Sequence, residues 1–151
     1  EYLYGEGKKT IDKYTTSAIC LFKIVNLPEI NTQISRKTGD ATITEVTNFV
    51  KKNLAQEYIF VRYMGPKFAI VFSGADKDGV YNFMSELKAK MEELDIMAQP
   101  DYIYSDEEDV IVSPKIRVVI STYYKGTALD GALKKLEEYI DSSNENTIKA
   151  I

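Results

Sequence analysis

Tyr58-Ile59-Phe60-Val61-Arg62-Tyr63-Met64-Gly65-Pro66-Lys67-Phe68-Ala69-Ile70-Val71-Phe72 is the stretch whose reading decides the fold. Two runs dense in Val, Ile, Phe and Tyr flank a short segment holding Gly65 and Pro66, which is how a β-hairpin is written in sequence. A turn of this kind lies at the edge of a sheet, where its backbone and side chains are free to meet a ligand. The turn residues are Met64, Gly65, Pro66 and Lys67.

Working outward, Ser17–Asn26 is a nearly continuous apolar run of strand length, the pattern of a central strand covered on both faces. Lys23 interrupts it. Pro28 suits the first turn of a short helix through Ile30 and Ile34, ending near Gly39. From Asp40, which stands where an N-cap belongs, Ile43, Val46, Phe49, Val50 and Leu54 recur at spacings of three and four and predict an amphipathic helix. Beyond the hairpin, Val80, Phe83, Met84, Leu87, Met91 and Leu94 repeat that pattern over 76–96. Residues 97–115 read as an edge hairpin with an acidic tip, Asp106-Glu107-Glu108-Asp109, which lacks the spaced oxygens and glycine of a calcium loop. Ile116–Tyr124 predicts another central strand, and Leu129, Ala132, Leu133, Leu136, Tyr139 and Ile140 a last helix. Residues 1–16 read as a lead-in segment with a short helix, 17–143 as the domain and 144–151 as a polar tail that frays.

Composition bounds the rest. The chain has 151 residues, 44% of them hydrophobic, enough for one domain with a real core. Its 19 basic and 23 acidic residues give a net charge of -4, which argues against nucleic acid or an anionic membrane as the main partner. A single cysteine, Cys20, excludes an intrachain disulfide and fits a reducing, cytoplasmic compartment. No histidine is present, so chemistry would have to run on carboxylates, lysines or hydroxyls. The element order gives an α+β sandwich of the ferredoxin-like, nucleotidyl-cyclase-like kind, a mostly antiparallel sheet with flanking helices.

Arg62-Tyr63-Met64-Gly65-Pro66-Lys67-Phe68-Ala69-Ile70-Val71 resembles the central segment of GGDEF domains, the family of diguanylate cyclases, whose signature is a Gly-Gly-Asp/Glu-Glu-Phe turn between two strands. Upstream, Lys23 to Asn31 is similar to the family's Asp-x-Asp-x-Phe-Lys-x-Ile-Asn segment, and Gly39-Asp40 to its Gly-Asp, with the intervals kept without gaps. The resemblance runs from Ser17 to Ser143. In active members, it implies, two magnesium ions sit between the first Asp of the upstream segment and acidic residues of the signature turn, where they activate a ribose hydroxyl to attack the α-phosphate of a second GTP.

At those positions this sequence has Lys23, Pro66 and Lys67, and Met64 replaces the first glycine. An ammonium donates hydrogen bonds and accepts none, so it repels magnesium instead of ligating it. The expectation is therefore a domain without cyclase activity and without a bound metal or cofactor. Asn31 and Asp40 match the positions that the resemblance assigns to guanine recognition, though each also has an ordinary reading as a helix residue and a helix cap. Lys23 and Lys67, beside Gly65, could neutralise phosphates without metal. The family's product-inhibition anchors, Arg-x-x-Asp, fall on Ala55 and Tyr58, and both are missing.

Three functions remain open: an inactive GGDEF domain acting as a regulatory, nucleotide-sensing or protein-interaction module in a bacterial signalling protein, itself soluble or part of a membrane-bound one; an enzyme with altered nucleotide chemistry, for which Asp106, Glu107, Glu108 and Asp109 are the densest carboxylates; and a structural dimerisation unit with an apolar patch around Tyr63 and Met64.

Overall fold

A computed structural model describes residues 5, 8–99 and 110–151. The hairpin forms as expected: β2 (Ile59–Met64) and β3 (Lys67–Phe72) pair antiparallel around a turn in which Gly65 has φ +57. That left-handed value is what a glycine supplies without steric cost. The pairing shifts between Arg62 and Met64, and the Arg62 Nε donates to the Gly65 carbonyl at 2.8 Å across the turn.

β1 (Thr16–Ile24) lies between β3 and β6 (Ile116–Tyr124) and pairs antiparallel with both. Strand β7 (Ile148–Ala150) adds parallel to β6, so the sheet runs β2-β3-β1-β6-β7 among the described residues. A separate two-stranded ribbon pairs β4 (Ile96–Met97) with β5 (Ile111–Val112). Ile111–Val112 falls within the expected edge hairpin, but its partner strand takes Ile96, which was expected to end the helix over 76–96; that helix stops at Glu92. The acidic tip and Asp101–Tyr104 lie outside the described residues.

Alternation along β1 divides the core in two, because successive side chains of a strand point to opposite faces. Ala18, Cys20, Phe22 and Ile24 pack with α3 (Arg36–Asn53) and α4 (Lys77–Glu92), where the rings of Phe22, Phe60 and Phe68 stack at centroid separations of 4.9 to 6.3 Å. Ile19 and Leu21 face α5 (Leu129–Asp141) and the fully buried Ile11 of the short lead-in helix α1 (Lys8–Ile11). Burial pushes the Cys20 thiol up, consistent with a small core residue.

Four further expectations need correction. Asp40 caps no helix: α2 (Leu27–Gln33) ends early, Ser35 is the N-cap of α3 and accepts from the Thr38 N–H at 3.0 Å, and Asp40 lies one turn inside. Gly39, read as a helix terminator, is within α3 because the Asn31 side chain packs on it; a Cβ there would sit 1.7 Å from Asn31 Oδ1. The tail does not fray at its end, since Ile148–Ala150 joins the sheet and the Ile151 N–H donates to the Ile120 carbonyl at 2.8 Å. The first strand also starts at Thr16 and stops at Ile24, two residues short of Asn26.

Candidate functional site

Register brings Lys23 and Lys67 together. They are directly opposed partners on β1 and β3, and Lys23 is also opposed by Arg117 of β6, which sets three cations in one row across the sheet. Lys23 follows Ile19 and Leu21 at strand period, so its side chain takes the α5 face. The Gly65 turn is beside this row, and the Ile24 N–H donates to the Pro66 carbonyl at 3.1 Å.

Carboxylates from the end of α5 meet the two lysines. Lys67 Nζ stands 2.8 Å from Asp141 Oδ2 and 3.7 Å from Glu137 Oε2, and Lys23 Nζ stands 3.8 Å from Asp141 Oδ1. The side chains of Lys23 and Lys67 are only 16% and 13% exposed, whereas that of Asp141 is 45% exposed, so water screens the ion pairs from the acid's side. Glu137 Oε2 is buried and receives no hydrogen bond. Sequence reading missed both acids, because on α5 they look like part of a solvated helical face; only the strand register and the helix placement reveal their partners.

Arg117 holds that end of α5. Its guanidinium donates to the Tyr139 carbonyl at 3.2 Å, Ser142 Oγ at 3.3 Å, the Glu145 carbonyl at 3.3 Å and Thr147 Oγ1 at 2.9 Å, and lies over the Tyr139 ring at 4.5 Å. A cation is favoured at a helix C-terminus, where unpaired carbonyls carry partial negative charge.

Asn31 and Asp40 form a second group. Asn31 of α2 is pressed against Gly39 of α3, and Asp40 is exposed on the next residue. These helices pack on the other side of the sheet from α5, with Leu27 in the α3 and α4 core, so the lysine ammonium groups turn away from the Asn31–Asp40 pair. Val25 and Asn26 connect the two groups. Ala55 and Tyr58 line an apolar cavity of about 320 Å³ with Leu54, Phe72, Val80 and Phe83. Met64, at the turn, is 63% exposed.

Magnesium does not fit the Lys23–Lys67 site: two of its nearest groups are ammoniums, and the carboxylates beside them are already paired. Among the described residues no group of three or more His, Cys, Asp or Glu is placed to hold a metal ion. No helix among them is long and apolar enough to cross a membrane.

The sequence profile of the family described as diguanylate cyclase, GGDEF domain, matches residues 2–146. The chain belongs to the GGDEF family. Solved structures share the fold at low identity. The GGDEF domain of DgcB from Caulobacter crescentus, in complex with c-di-GMP, superposes with a TM-score of 0.79 at 17% identity, covering 98% of this chain and 82% of that one. Diguanylate cyclase SiaD from Pseudomonas aeruginosa, in complex with its activator SiaC, gives 0.79 at 10% identity over 97% and 56% of the two chains. The active GGEEF domain of a Vibrio cholerae diguanylate cyclase gives 0.62 at 15% identity over 90% and 83%. A search of curated proteins finds no match. The family and its α+β fold are those that the hairpin, the Lys23–Asn31 segment and the Gly39–Asp40 pair implied.

Proposed function

We propose that this GGDEF domain is catalytically inactive and serves as a regulatory or protein-interaction module in cyclic di-GMP signalling, in the cytoplasm or as the cytoplasmic part of a membrane-bound protein. The observation that carries the reading is that Lys23 and Lys67, at two of the positions the family resemblance assigns to magnesium carboxylates, are salt-bridged to Asp141 and Glu137 of α5. Without an acceptor at either lysine the two-metal activation of a ribose hydroxyl has no ligands, and losing it costs many orders of magnitude in rate.

Binding remains open to two partner classes. A guanine nucleotide would be read by Asn31 and Asp40, the amide offering donor and acceptor and the carboxylate accepting from the base, on the face of the sheet away from the two lysines. A protein partner, or a second copy of the chain, would use the exposed Met64 at the turn; the SiaD–SiaC complex supports a protein partner for this fold. Cyclic di-GMP in the product-inhibition mode is not expected, because Ala55 and Tyr58 offer neither guanidinium nor carboxylate. The altered-enzyme reading has no support among the described residues.

Calorimetric titration of the pure domain with GTP, GDP, ATP and cyclic di-GMP, with and without magnesium, tests the reading together with a turnover assay. Guanine preference in the unmodified chain, lost in Asp40→Ala, is the result expected of a nucleotide sensor. Equal weak binding of GTP and ATP, or none, leaves the protein-interaction role. Magnesium-dependent formation of cyclic di-GMP overturns both.

A further inference from the structure

The cluster at the end of α5 is more than a tolerated surface contact. Asp141 presents one carboxylate oxygen to each lysine, Oδ2 to Lys67 and Oδ1 to Lys23, the arrangement an external oxyanion would take between two cations. It does so from the last residue of a thirteen-residue helix, where the negative end of the macrodipole disfavours a carboxylate. The helix alone does not favour an acid there; the lysines do. Glu137, one turn earlier, brings a second acid whose Oε2 is buried, lacks a hydrogen bond and lies 3.7 Å from Lys67. Two ammoniums and two carboxylates cancel, so the lysine pair offers an incoming anion little net attraction, and Arg117, the third cation of the row, is engaged with the carbonyls and hydroxyls at the end of α5.

We propose that Lys23 and Lys67 form a latent oxyanion site of the phosphate class, and that Asp141, assisted by Glu137, is its built-in occupant. The inference rests on the reading of Lys23 and Lys67 as replacements for the family's metal carboxylates, and it specifies how the site they form is regulated. An external phosphate group competes with a carboxylate tethered to the same fold and therefore present at high effective concentration. Neutralising that carboxylate while keeping its shape frees the ammoniums for a diphosphate. The Arg117 grip on Tyr139 and Ser142 fixes the occupant in place, so the site answers to the position of the C-terminal turn of α5 as well as to charge.

Inorganic pyrophosphate is the probe, titrated calorimetrically without magnesium into the whole chain, the Asp141→Asn and Asp141→Asn/Glu137→Gln variants, and Asp141→Asn/Lys67→Met. Asp141 is 45% exposed on its side chain, so Asn is an isosteric change at an accessible helix end, and a thermal melt of each variant confirms the fold. Asp141→Ser repeats the experiment if Asn misfolds. The expected result is no saturation of the unmodified chain at millimolar pyrophosphate, binding at least about tenfold tighter in Asp141→Asn, tighter again in the double neutral variant, and loss on adding Lys67→Met. Tenfold corresponds to about 1.4 kcal/mol. Two results overturn the inference: unmodified chain and Asp141→Asn binding alike, or folded neutral variants that do not bind. Either leaves the inactive reading intact, whereas GTP turnover would remove that reading without touching this one.

Discussion

Replacing Arg117 by Met tests what keeps the C-terminal turn of α5 and the last strand in place. Arg117 is 3% exposed, and its guanidinium makes four hydrogen bonds, two to main-chain carbonyls and two to hydroxyls, with a cation–π contact on Tyr139. Met keeps most of the apolar volume over the ring and removes every donor. Hydrogen bonds to charged groups contribute about 1.5–3 kcal/mol each, and the ring contact about 1 kcal/mol. Against this stands the cost of burying a charge whose Nε has no partner and whose contacts include no carboxylate. At the lower end of those contributions, about 7 kcal/mol, subtracting several kcal/mol for that desolvation leaves a net loss of at least about 3 kcal/mol on substitution. For a chain of this length that lowers Tm by roughly 6–12 °C. Urea denaturation followed by circular dichroism gives the stability, and hydrogen exchange at Ile148–Ala150 should show protection lost there first. Arg117→Lys, which keeps the charge without the fork, should fall between the two. A Met variant as stable as the unmodified chain, or more stable, would refute the reasoning, because desolvation would then outweigh the contacts.

Glu92 links α4 to β6 and to the loop after α5, accepting from Lys88 at 2.8 Å, the Ile116 N–H at 2.9 Å and Asn146 at 2.9 Å. Burial pushes its carboxyl up, but those donors outweigh burial and hold it below the ordinary value of 4.5. A carboxyl depressed in the folded state contributes stability above its unfolded pKa and loses it as pH falls through the folded one. Urea midpoints measured downward from about pH 5 should therefore fall more steeply for the unmodified chain than for Glu92→Gln; parallel slopes would contradict this. Gly39→Ala should leave stability nearly unchanged, the gain of roughly 0.5–1 kcal/mol in helix propensity offsetting displacement of Asn31, while abolishing any guanine preference. Retained preference would show that Asn31 does not read the base.

The hairpin, the three longer helices and the central strands were legible because each has a period or a turn that does not depend on the rest of the fold. Ile116–Tyr124 formed over the residues its apolar run marks. The α2–α3 junction was misread because Gly39 is small for a tertiary reason, the side chain of Asn31 lying against it, and a local rule assigns such a glycine to a helix end. Strand β7 was missed because three residues in a polar tail carry too little pattern, and its anchor, Arg117, is about thirty residues away in sequence. At the site, the family motif placed Lys23 and Lys67 side by side, whereas Asp141 and Glu137 could be found only once α5 was set against the sheet.

The central claim is that ammonium groups neutralised from within have taken the place of metal ligands. Free manganese, followed by its electron paramagnetic resonance signal in the presence of a non-hydrolysable GTP analogue, tests it most directly. The account predicts the same free-manganese signal with the domain as with the nucleotide alone. A stoichiometric, protein-dependent loss of that signal, removed by exchanging the Asp141 carboxylate for an amide, would contradict it, since the acid paired here with lysines would then be serving as a metal ligand.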